Sequence, residues 1–388
     1  MSPKVQLGIE AFFKENLDLV RGKNVGIVTN QSGILSDFTL NVDFITNHLR
    51  SEINLKAIFA PEQGFRGNEQ AGFSSGGYID PQSNVTVYDL YEKSPDQIKL
   101  AFIEAGIDVI IFDIQDAGAR FYTYIWTLAD IMEGIAGSDL KLIVTDRPNP
   151  LGGQNVAGPL VKPGFESFVG RYPIPLVHGL TVGELAVLFN EKYVVEKLGK
   201  SVHLHVSWMK GWNRDMYYDD TGLPFLYPSI NLPTLTSVLV YPGQGLFEGL
   251  DLSEGRGTTH PFEIVGAPFM DYQLAKELNK KALPGVHFIE THFTPVFSHY
   301  AQKPCTGVQV YITDRTRYDP IRAAVEIMTT YRDLYPKHFK FLKTFGVLCG
   351  SNYLQQELEA GKNTEEIING WQDELNGFKQ LRSKYLHY

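Results

Sequence analysis

The side chains able to do chemistry in this chain lie in a few short, glycine-bearing stretches. Asn30 sits in Thr29-Asn30-Gln31-Ser32-Gly33, and Glu62, Gln63 and Arg66 share Pro61-Glu62-Gln63-Gly64-Phe65-Arg66-Gly67. Gln115, Asp116, Arg120 and Tyr122 follow Asp113 in one run, and Arg147 stands in Asp146-Arg147-Pro148-Asn149-Pro150. Further along come His178 and Glu184 in Pro175 to Glu184, then Glu254 and Arg256 in Glu248 to Thr259. Carboxylates beside amides, tyrosines and arginines suit general acid–base chemistry on a sugar, with a guanidinium reserved for an acidic substituent.

Other chemistries lack their signatures. The chain has no P-loop and no Gly-x-Gly-x-x-Gly after its first strand-like run, so nothing marks a nucleotide site. A Gly-x-Ser-x-Gly elbow is missing as well. His203-x-His205 is too little for a metal, and Cys305 and Cys349 lack ligand spacing, so the expectation is no metal and no cofactor. A formal charge of −9 argues against the basic face a nucleic-acid surface needs, although net charge does not fix its distribution, so no nucleic acid is expected.

The positions of these stretches follow from the elements around them. Five apolar, β-branched runs (Val25 to Thr29, Leu55 to Phe59, Val85 to Leu90, Val109 to Phe112, Leu142 to Thr145) alternate with helix-like segments near Leu40 to Arg50, Gln97 to Ala105 and Tyr124 to Ile135. Alternation of this kind predicts parallel strands with right-handed crossovers, and nearly continuous apolarity predicts cover on both faces. The fold class is therefore α/β, a Rossmann-like doubly wound sheet, mostly parallel. In such a sheet the strand ends share one edge, where ligands bind, and four of the stretches above begin there.

Individual residues carry competing readings. Thr181 with Glu184 three residues on is a capping box, which ranks ahead of catalysis for Glu184. Asp113 could cap a helix or tie down a neighbouring loop. Arg120 falls near a helix start, where a cation opposes the dipole, so an anion or carboxylate is its expected partner. Arg147, fixed before a proline, suits a bidentate contact. The Gly-Arg-Gly around Arg256 presents a guanidinium on a mobile backbone. After Pro148 the texture turns to Pro- and Gly-rich loops, and from Asp271 onward helix, strand (Gly307 to Ile312) and helix (Pro320 to Leu334) return. A boundary near residue 240 divides 1–240, a Rossmann-like catalytic domain, from 241–388, a smaller α/β domain closing the cleft.

No apolar stretch reaches the roughly 18 residues of a membrane span. The opening Met1-Ser-Pro-Lys-Val-Gln-Leu has no apolar export core, so the face-value compartment is cytoplasmic, or periplasmic or extracellular where a leader has been removed. Oligomeric state is not legible.

In order, VTNQSG, PEQGFRG, FDIQDAGARFYTY, DRPNP, HGLTVGELA, YPSINLP and LSEGRGTTHPFEIVGAP resemble the motifs of the NamZ-type exo-β-N-acetylmuramidases, from about Val25 to Pro268. The resemblance implies hydrolysis that releases N-acetylmuramic acid from the non-reducing end of peptidoglycan fragments, in a cleft between two domains. It implies Glu62 as catalytic acid. Asp116 then leads as partner carboxylate, with Glu184 and Glu254 in reserve. Arg256, Arg66 or Arg147 would take the lactyl carboxylate. Asn30, Gln115 and Tyr122 would hold hydroxyls or the acetamido group, with Gln63, Arg120, His178 and Asn231 completing the site. Two positions depart from the family pattern: Gln63 replaces the usual His, and Ile230 replaces the usual Pro. The first leaves room for a competing reading, a non-hydrolytic muropeptide-binding protein using the same cleft.

Overall fold

The computed structural model describes residues 4–73 and 76–388; Met1 to Pro3, part of the stretch read for export, lie outside it. Twelve strands are formed among the described residues. The first six are β1 (Asn24–Thr29), β2 (Asn54–Ala60), β3 (Tyr78–Ile79), β4 (Thr86–Asp89), β5 (Val109–Asp113) and β6 (Lys141–Thr145). Then come β7 (Ala157–Leu160), β8 (Pro175–Val177), β9 (His203–Ser207), β10 (Ile264–Ala267), β11 (Val286–Phe293) and β12 (Cys305–Ile312). Seven of them build the central sheet in the order β3-β4-β2-β1-β5-β6-β9. Every pairing in it is parallel except β3 with β4. The sheet turns outward in both directions from β1, so the switch point falls between β1 and β5.

Why these runs form central strands is visible in where alternate side chains go. Val25 and Ile27 of β1, Val109 and Ile111 of β5, and Ile143 of β6 all enter the apolar layer on one face. Val28, Ile110, Phe112, Leu142 and Val144 enter the layer on the other. A strand whose two faces are both dry must be apolar at every position, which removes the alternation seen in half-exposed strands. The second layer continues without a break into residues 232–378, so the C-terminal part shares one core with the sheet.

Local signals account for the helices. Tyr124–Ile135 and Pro320–Leu334 form over the predicted spans, and the second is started by Asp319, which accepts from two backbone N–H groups. Thr181 and Glu184 form the predicted capping box on Val182–Leu188. In the C-terminal part, β10, β12 and β11 make an antiparallel sheet in that order, packed by helix Gln273–Lys280, which in turn packs against helix Pro320–Leu334. Among the described residues no helix is long and apolar enough to cross a membrane.

Candidate active site

A cavity of about 290 Å³ opens where the loops after β2 and β5 meet the segment 229–262. Glu62, two residues past the end of β2, forms part of its wall. The turn that aims it passes through positive φ at Gln63 (70°) and Gly64 (75°). Glycine adopts that backbone freely, whereas Gln63 does so against its Cβ. Gln63 is held there by a bond from its Nε2 to Ser229 Oγ (3.0 Å). The Glu62 carboxylate is fixed at both oxygens: Oε1 accepts the Gly72 N–H (2.8 Å) and Oε2 accepts from Thr123 Oγ1 (2.7 Å). It remains only half-buried, with room for a ligand.

Arg256, Glu248, Tyr241 and Phe262 supply wall from the C-terminal side of the chain. The Arg256 guanidinium lies 5.1 Å from the centre of the Phe262 ring and donates to Glu248 Oε1 at 3.0 Å. Its Nε is 3.5 Å from Glu254 Oε1. Gly257 is needed beside it, because a Cβ there would come within 2.5 Å of the Phe297 backbone. Burial, then the nearby Glu248 charge, pushes the Glu254 carboxyl up to about 7. Tyr122, Tyr124 and Tyr241 also line the cavity, and burial pushes all three phenols well above their usual range. They stay protonated at neutral pH, and each keeps an O–H able to donate; that of Tyr124 points to the Glu62 carbonyl at 3.3 Å.

Of the residues singled out in the sequence, Glu62, Gln63, Tyr122, Asn231 and Arg256 line this cavity together. The others sit outside its lining. Asn30 is fully buried, and its Oδ1 accepts the Ser32 N–H (2.9 Å). Gln115 staples two strand-end loops through the carbonyls of Asp116 (2.8 Å) and Pro148 (2.7 Å). Asp116 accepts the Gly118 N–H at 2.9 Å and faces His178 Nε2 at 3.2 Å, outside good hydrogen-bond alignment. Since His178 Nδ1 accepts from Leu180 N, the ring proton belongs on Nε2, toward that carboxylate.

Three of the arginines are engaged by the protein itself: Arg120 departs from its expected anionic partner, whereas Arg147 makes the bidentate contact expected of it, with Asp113. Among the described residues Arg120 has no anionic partner: it is fully buried and donates to the carbonyls of Pro159 (2.7 Å), Ile174 (3.1 Å) and Leu348 (2.9 Å). Burial lowers its pKa to about 10. The helix begins only at Tyr124, so Arg120 is a strut in the loop before it. Arg147 forms a bidentate pair with Asp113 (2.7 and 2.8 Å), out of solvent. Arg66 clamps Asp80 in the same bidentate way (3.0 and 2.8 Å). Glu184, besides its cap, accepts from Arg214 (2.8 Å) and from the His387 N–H (2.8 Å).

Sequence reasoning passed over Glu248, Thr123, Tyr124, Tyr241 and Phe262, all of which line the cavity. Glu248 and Phe262 flank the Gly-Arg-Gly motif, and Thr123 and Tyr124 lie in the run after β5. Tyr241 had no comparable signal, being one more aromatic in an apolar helix. Among the described residues, no three His, Cys, Asp or Glu side chains gather as a metal site would require.

Comparison with known proteins matches this chain to one family. The model described as exo-β-N-acetylmuramidase NamZ, N-terminal, matches residues 25–236, and its C-terminal counterpart matches 239–388. The peptidoglycan β-N-acetylmuramidase NamZ of Bacillus subtilis (strain 168) is 44% identical over 393 residues, covering 100% of this chain and 92% of that one. Crystal structures of two DUF1343 family proteins from Bacteroides fragilis NCTC 9343 align over 99% of both chains in each pair. Their TM-scores are 0.89 and 0.80, at 33% and 30% identity. With both family models together spanning nearly the whole chain, this protein belongs to the NamZ exo-β-N-acetylmuramidase family.

Proposed function

We propose that this chain is an exo-acting β-N-acetylmuramidase, a glycosidase that releases N-acetylmuramic acid from the non-reducing end of peptidoglycan fragments. The observation that carries the reading is Glu62: a carboxylate fixed at both oxygens, half-open to a cavity that also holds an arginine. Glu62 acts as general acid and protonates the departing glycosidic oxygen. Arg256 takes the lactyl carboxylate, the feature that distinguishes muramic acid from N-acetylglucosamine. Tyr122, Asn231 and Gln63 hold the sugar's polar substituents. Asp116, buried outside the cavity lining and 3.2 Å from His178 Nε2, acts on the site through its charge, which the Tyr122 and Tyr241 phenols feel. The full-length relative in Bacillus subtilis, a named peptidoglycan β-N-acetylmuramidase, supports the same chemistry. The two family models meet between residues 236 and 239, which supports a domain division near 240.

The test is turnover of a chromogenic β-glycoside of N-acetylmuramic acid. The wild-type chain should release the chromophore, and Glu62→Gln should lose about 1,000-fold in kcat while melting at the same temperature. Wild-type turnover by Glu62→Gln would remove it as the acid, and binding without any release would leave a muropeptide-binding protein.

A further inference from the structure

Glycoside hydrolysis by two carboxylates needs a second acid side chain that can reach the sugar. Asp116 is buried and outside the cavity lining. Glu184 is fully buried, with its oxygens taken by Arg214, Thr181 N–H and His387 N–H. Glu254 is only 2% exposed, sits 3.5 Å from Arg256 Nε and is not part of the cavity lining. Among the described residues, the acidic side chains lining the cavity are Glu62 and Glu248.

We infer that Glu248 is the second catalytic carboxylate of this site, taking up the proton of the attacking water while Glu62 protonates the leaving oxygen. This assignment rests on the hydrolase reading above. Three observations support it. The Glu248 side chain is 33% exposed, against 2% for Glu254. Its Oε1 is held by Arg256 at 3.0 Å, while Oε2 has no protein partner among the described residues, so one oxygen is oriented and the other is free. Its backbone is pinned: Thr344 Oγ1 donates to the Glu248 carbonyl (3.3 Å), and Leu342 N–H donates to Gly249 O (2.8 Å). A Cβ at Gly249 would sit 2.6 Å from the Phe345 backbone, so the turn Gly245–Gly249 is packed closely there.

The step balances with one water. The bond from the anomeric carbon to the leaving oxygen breaks as Glu62 gives that oxygen its proton. A bond forms from the same carbon to the water oxygen, and the water's proton passes to Glu248. Exchange with solvent returns a proton to Glu62 and removes one from Glu248. Arg256 thereby has two tasks, orienting Glu248 and meeting the substrate carboxylate.

The experiment compares wild type, Glu248→Gln and Glu248→Ala on the chromogenic muramic acid glycoside, with thermal melts of each. Both variants should lose about 1,000-fold in kcat with KM within about threefold. Sodium azide should then restore turnover to Glu248→Ala with a glycosyl azide as product, because a small anion fills the space and needs no base. Glu248→Gln keeping kcat within tenfold of wild type would reduce Glu248 to a partner of Arg256 and overturn the inference. So would a folded, slow Glu248→Ala that azide leaves unchanged. If wild type itself releases nothing, the hydrolase reading falls and the assignment falls with it; an active wild type beside an active Glu248→Gln rejects the assignment alone.

Discussion

Two arginine–carboxylate clusters in this molecule use the same residue types to different ends. At the sheet edge, Asp113 and Arg147 are shut away from water. Asp113 Oδ1 accepts from Arg147 Nε and Thr145 Oγ1, and Oδ2 from Arg147 Nη2 and Asn41 Nδ2, so the carboxylate is saturated. At the cavity, Arg256 gives one hydrogen bond to Glu248, and both Glu62 and Glu248 keep part of their surface open. A saturated buried pair ties the end of β5 to β6 and to the helix residue Asn41 but has no lone pair left for a ligand. An unsaturated, half-open pair can bind and exchange protons. Residual hydrogen-bonding capacity, rather than residue identity, separates scaffold from site.

The sharpest way to break that contrast is Arg147→Met. Removing one partner of a buried pair strands the other charge, so the variant should lose about 3–5 kcal/mol of stability in denaturant unfolding. Turnover per folded molecule should stay within a few-fold of wild type. A stable variant with collapsed turnover would place Arg147 in the site after all. Next in size, Arg256→Ala should cost about 10- to 100-fold more in kcat/KM on the muramic acid glycoside than on the matched N-acetylglucosamine glycoside, the worth of one charge-assisted contact. Equal losses on the two substrates would take Arg256 out of carboxylate recognition.

The smallest effect concerns Glu254. Burial and the Glu248 charge raise its carboxyl from 4.5 to about 7 in the folded chain. Between those values the native state holds a proton that the unfolded chain has released, so stability contributed by this group falls as pH rises through that window and levels off above it. Glu254→Gln cannot titrate. Its melting temperature should therefore gain on wild type between pH 5 and pH 8; parallel curves for the two proteins would show that Glu254 does not hold its proton.

Much of the scaffold was legible because its causes are local. The doubly covered strands announce themselves by unbroken apolar runs, the Thr181–Glu184 box by two residues three apart, and Tyr124–Ile135 by its own composition. Arg120 misled because its expected partner was inferred from a helix dipole, and the helix starts four residues later than that inference needed. Glu248 was in plain view in a motif, yet nothing in its neighbours says that it faces the same cavity as Glu62, 186 residues earlier.

The division follows from the range of the forces involved. Apolar patterning, capping and the need for glycine at positive φ act within a few residues, and together they determine the parallel sheet and the edge where its loops gather. Which charged side chain ends beside which partner is decided by packing between segments far apart in the chain. Arg147 reaches Asp113 and is consumed; Arg256 reaches Glu248 and keeps donors to spare. Only the closed tertiary structure, through the burial it imposes on each group, settles which of them can still meet a substrate.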